Sequence, residues 1–151
     1  MISNVTHRIC KNQANLFVLS AERGLDSRIF VDSFMNSKTA AKMDGVYDRN
    51  QWMGAEYTLE DFSFEINVPQ GRIINPDALH WIGYITRYWQ QARDISSKEI
   101  WAMTGMDHML ACWTGYHTIS FNEALERLEN YAGKSKSFPR ISEHECRFPA
   151  M

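Results

Sequence analysis

The segment NPDALHWIGYITRYWQQAR, residues 75–93, constrains the fold more than any other part of this chain. Asn75 suits a helix N-cap, Pro76 suits the first helical position, and Asp77 puts negative charge at the positive end of the helix dipole. Leu79, Ile82, Thr86 and Trp89 then recur at helical spacing, and Trp81, Ile85, Tyr88 and Ala92 form a second stripe beside them. A helix apolar around most of its circumference belongs at the centre of a domain or against a partner. Only a narrow strip, His80, Gly83, Tyr84, Arg87 and Gln91, is left to face water, close a polar contact in the core or carry chemistry.

The flanking sequence predicts more helices. Ile9, Ala14, Leu16, Phe17, Val18 and Leu19 give residues 7–22 an apolar face that Gly24 ends. Asp26 or Ser27 caps a second helix through Ile29, Phe30, Phe34 and Met35, and the short SKTAAKM run stops at Asp44-Gly45. Residues 46–57 are expected to be a loop with one helical turn that inserts Trp52 and Met53 into the core. Thr58 with Asp61 reads as a capping box for a following helix. Phe62, Phe64, Ile66 and Val68 also alternate as an edge strand would, so a short β element near 62–74 is the alternative there. Ser96 with Glu99 and Ser120 with Glu123 are better capping boxes. Met106, Met109, Leu110 and Trp113 place another helix between them, with Gly105 and Gly133 as stops.

The predicted architecture is therefore all-α, a compact bundle of about six to eight helices around residues 75–93. Residues 1–133 form a single helical domain, and residues 134–151 form a C-terminal tail, packed on the surface or partly mobile. A chain of 151 residues can bury a core without disulfides or metal. Its aromatic share of 13% suits either that core or a protein-binding face.

Chemistry is sparsely signalled. A net charge of −2 gives no electrostatic footprint for nucleic acid, which makes nucleic acid an unlikely partner. The three cysteines, Cys10, Cys112 and Cys146, form no CxxC pair and read as thiols of a reducing cytoplasm. The first apolar run is interrupted by Asn12, Gln13 and Asn15, against a secretory signal, and no run approaches ~18 apolar residues, against a membrane span. A cytoplasmic location is expected. Asp107 and His108 are neighbours about 100° apart on a helix, and His144-Glu145-Cys146 lacks metal-ligand spacing. No metal, no cofactor and no catalytic residue is assigned, and an enzyme is the less favoured reading.

Tyr116-His117-Thr118 is the sharpest local cluster, either a hydrogen-bonded clamp at a helix corner or a contact site formed with Arg87 and Tyr84. Aromatic residues with arginine have the composition of binding hot spots. Trp52, Tyr84, Arg87, Tyr88, Tyr116 and His117 are accordingly the candidate partner contacts.

Four segments in order carry a resemblance: FVDSFMNSKTAAKMD (30–44) followed by QWMGAEY (51–57), LHWIGYITRYW (79–89), SSKEIWAM (96–103), and GYHTISFNEALERL (115–128). Together they resemble a family of small bacterial proteins found in toxin–antitoxin-like loci near ADP-ribosyltransferase-like proteins. The longer tail after Gly133 and the first helix depart from its pattern. The resemblance implies a non-enzymatic partner-binding protein, an antitoxin or accessory subunit that neutralises a toxin by direct binding. The toxin itself would be the protein partner, ADP-ribosyltransferase-like in one version. Two alternatives stand beside it: a toxin or small enzyme with a pocket around Arg87, Tyr116 and His117, and a nucleic-acid-binding regulator. A homo-oligomer is compatible with any of them.

Overall fold

The computed structural model describes residues 3–46 and 48–135. They form eight α-helices and a single 3-10 turn: α1 (Asn4–Glu22), α2 (Ser27–Met35), α3 (Lys38–Met43), the turn Arg49–Gln51, α4 (Ala55–Glu65), α5 (Pro76–Ala92), α6 (Ser97–Met103), α7 (Gly105–Tyr116) and α8 (Phe121–Ser135). The all-α bundle expected from the periodicity is present. No strand occurs among the described residues, and no described helix is long and apolar enough to cross a membrane. Most of the tail from residue 134 lies outside the described residues, as does Cys146; α8 runs on through Gly133 to Ser135. Cys112 on α7 is disulfide-bonded, which corrects the reading of the cysteines as thiols; Cys10 is free.

The axis is α5. Asn75 Oδ1 accepts from the Asp77 backbone N–H and Pro76 takes the first turn, so the helix starts where its cap signals place it. Every residue from Trp81 to Gln90 is buried. That run corrects the expected polar strip: only His80 and Gln91 reach the surface, while Gly83, Tyr84 and Arg87 are covered. The cover is α1, which makes its most extensive contact with α5. The two backbones approach closely at Gly83, where a Cβ would stand 2.8 Å from Ala14 Cα and 2.9 Å from Gln13 O. Only glycine fits there.

On the far side of α1, Phe17 meets Phe30 and Phe34 of α2 edge-on, and Phe62 of α4 packs edge-on against the same two rings with centroids 5.3 and 5.5 Å away. Edge-to-face packing is the arrangement ring quadrupoles favour. The α5–α8 seam is also aromatic: Tyr84 stacks on Phe121 at 4.2 Å, and the Tyr88 hydroxyl donates to Asn122 Oδ1.

Two local expectations change. Thr58 does not cap α4; the helix begins at Ala55 after Gly54, whose φ of +102° turns the chain, and the Thr58 hydroxyl hydrogen-bonds Asn50 O and Gly54 O from inside the helix. The possible β element near 62–74 is instead the end of α4 followed by an extended strap. Pro69 O and Arg72 O accept from the Asp26 and Ser27 backbone N–H groups, at 2.9 and 3.0 Å, and Ser27 Oγ accepts from Ile74 N–H. The strap lies on the α1–α2 corner, making one isolated bridge between Leu25 and Gln70. Its backbone groups are satisfied by a turn and a helix N-terminus, so no partner strand is needed.

Candidate functional site

The six residues singled out as contacts do not share one surface. Tyr84, Arg87, Tyr88 and Tyr116 are buried; Trp52 and His117 are exposed. Tyr84 and Tyr88 belong to the α5–α8 seam, and the Tyr84 hydroxyl also meets His7 Nδ1 at 2.6 Å. Tyr116 lies beneath the Arg127 guanidinium, 5.8 Å from its ring centroid. His117 stacks on Trp113 and hydrogen-bonds that residue's carbonyl, which makes it the clamp of the α7 C-terminus. Of the residues of the alternative pocket, Arg87 and Tyr116 are buried and His117 is exposed, and the three share no hydrogen-bond partner among the described residues.

Arg87 is instead the centre of a buried polar network. Its Nε donates to Gln13 Oε1 at 2.8 Å, and its Nη1 donates to Asp44 Oδ1 at 2.6 Å and Gln90 Oε1 at 3.0 Å. Gln13 Nε2 passes the chain on to Gly83 O and Thr86 Oγ1. Asp44, in the turn after α3, accepts from both the backbone N–H and the hydroxyl of Ser97 at the start of α6. One ion pair thus ties α1, the 44–45 turn, α5 and α6 together. Burial pushes the Arg87 pKa down, and the Asp44 charge and hydrogen bond push back. Cys10, one turn before Gln13, is a free thiol raised to about 12 by burial despite the pull of Arg87, so it stays protonated and is no nucleophile.

Two members of the network, Asp44 and Gln90, line a groove at the protein surface. This groove, of about 500 Å³, lies between the start of α1 (Val5, Ile9), the segment after α3 (Asp44, Gly45, Val46), the 3-10 turn (Gln51, Trp52) and the end of α5 (Gln90–Asp94). Sequence reasoning placed Trp52 and Met53 in the core; both are exposed, and Asn50 and Gln51 are the buried residues of that turn. Gln51 Nε2 donates to Met43 O and Gly45 O, at 2.8 and 2.6 Å, and Asn12 Nδ2 donates to Gln51 O. Burying the two amides fixes the turn and leaves Trp52 at the rim. Val5 and Val46, 60% and 76% exposed, stand with it there. Arg93, also in the lining, is turned to Glu129 by two hydrogen bonds of 2.8 and 3.0 Å.

Comparison with protein-family models, with curated proteins and with solved structures finds no match to this chain. Among the described residues, no group of three or more His, Cys, Asp or Glu side chains is placed to hold a metal ion. The groove residues were not legible as a set in the sequence. They come from four stretches with no common motif, and the only signal was negative: Val46 and Trp52, with Met53 beside them, lie outside any helical period.

Proposed function

We propose that this chain is a non-enzymatic partner-binding protein, an antitoxin or accessory subunit that neutralises a toxin by direct binding. One observation carries the binding part. Val5, Val46, Trp52 and Met53 are exposed around or beside a groove whose inner wall is braced by a buried ion pair. Large apolar side chains left facing water and gathered beside one concavity are what a protein-binding face presents, since scattered single ones would need no explanation. Of the groups that could do chemistry, Arg87 spends Nε and Nη1 on three side chains while its buried Nη2 meets no partner among the described residues, and the Cys10 thiol is sealed in the core. The toxin as partner rests on the resemblance of residues 30–44, 51–57, 79–89, 96–103 and 115–128.

The test is co-expression with the product of the adjacent gene. A complex that co-elutes on gel filtration and relieves growth arrest is the expected result. Separate elution together with unrelieved arrest refutes the reading.

A further inference from the structure

The groove has walls and a floor of different chemistry. Val5, Ile9, Val46 and Ala92 are apolar, whereas Asp44, Gln51, Gln90 and Asp94 supply oxygens. Gln51 is 2% exposed and its Nε2 is spent on two carbonyls; its Oε1 accepts from no donor among the described residues. The acceptor capacity of that amide is therefore unfilled where it lines the groove. Charges compound this. Asp44 is balanced by Arg87 and Arg93 by Glu129, which leaves Asp94, exposed at the groove's end, as the lining charge with no ion-pair partner among the described residues. The Asp44 and Gln90 oxygens are taken by Arg87, Ser97 and Gln91, so among the described residues the acceptors left in the lining are Gln51 Oε1 and the unpaired Asp94 carboxylate, beside aliphatic walls.

We propose that this groove is a socket for an arginine side chain presented by the protein partner. Its methylenes lie along Val5, Ile9 and Val46, and its guanidinium donates to Gln51 Oε1 and the Asp94 carboxylate. A long side chain with an apolar stem and a charged, multi-donor head matches both parts at once. The proposal rests on the partner-binding reading and names the chemistry of what that partner inserts.

The experiment uses the full chain and a probe that needs no partner. Nα-acetyl-arginine methylamide and its neutral citrulline counterpart are titrated while the side-chain amide signals of Gln51 and Gln90 and the Trp52 indole N–H are followed by NMR. Saturable shifts at these groups are expected with arginine. Citrulline has nearly the same shape without the charge, and should bind about tenfold more weakly, as loss of a charge-assisted contact implies. Asp94→Asn, a change at an exposed position, should lower arginine affinity about tenfold and leave citrulline unchanged. Equal binding of the two probes, shifts confined to other surfaces, or indifference to Asp94→Asn would overturn the socket. The two failures are distinguishable: a failed co-expression removes the partner that would supply the arginine while the titration still reads whether the groove holds one, and a failed titration sinks the socket and leaves the partner-binding reading standing.

Discussion

At the scale of single residues, the molecule is decided by Arg87. An arginine on an otherwise apolar helix invites a functional reading, yet the hydrogen bonds of its head group all run inward, to Gln13, Asp44 and Gln90. A buried ion pair adds little net stability over a well-packed apolar pair, but removing one partner strands the other charge. Asp44→Asn is therefore expected to cost about 3–5 kcal/mol, read as a lower urea midpoint with an unchanged slope. The sequence did carry a clue. Gln13 sits on the apolar face of α1, between Cys10, Ala14 and Phe17, and a polar residue on a buried face needs a buried partner. Matching it to Arg87 required knowing that α1 and α5 pack face to face, which no local pattern states.

His108 sets the acid limit of stability at the same scale. It is buried on α7, its ring 4.8 Å from that of Tyr131, and burial lowers its pKa from 6.5 to about 4. Above pH 6.5 neither the folded nor the unfolded chain holds the extra proton. Between 6.5 and about 4 the unfolded chain takes it up and the folded one does not, so stability falls as pH falls through that window. The loss at pH 5 is about 2 kcal/mol. Urea midpoints at pH 7.5 and pH 5 measure it, and His108→Phe should flatten the difference.

At the scale of elements, what was legible is what is local. Asn75-Pro76, Asp26 and the Ser96–Glu99 and Ser120–Glu123 pairs all start helices as their chemistry dictates, because a cap is satisfied within one turn of the residue that makes it. Thr58 misled because its hydroxyl is equally content inside a helix, and Gly54, with positive φ, had already started one. The α1–α5 pair yields the prediction at this scale. Gly83→Ala gains helix propensity but drives a Cβ into the backbone of Ala14, which cannot rotate away. A net loss of about 2 kcal/mol is expected by thermal unfolding. Gly133→Ala, where a Cβ meets nothing within 4 Å, is the control and should stabilise by about 0.5–1 kcal/mol.

At the scale of the whole molecule, the fold was readable and the groove was not. Amphipathic period and caps fix which residues face inward along each helix; the groove arises where the ends of α1 and α5 meet the segment 44–52, a non-local coincidence. Trp52 shows the difference. Its residue type argued for burial or a partner equally well, and only the buried Asn50 and Gln51 beside it decide for the rim. If that rim docks a protein, Val46→Asp, at a position 76% exposed, should leave the unfolding midpoint within about 0.5 kcal/mol of the parent while abolishing the co-eluting complex. A complex indifferent to Val46→Asp would move the interface to another face.

The bond between Arg87 and Asp44 reaches further than the interior it sits in. Asp44 is a fixed point two residues before Val46, and Gln51 clasps the same corner through Met43 O and Gly45 O. If this lip docks a partner, it is moored before any visitor arrives, and little conformational freedom is left to surrender on docking. Slackening that mooring would blunt recognition from a distance, through a side chain no visitor ever touches.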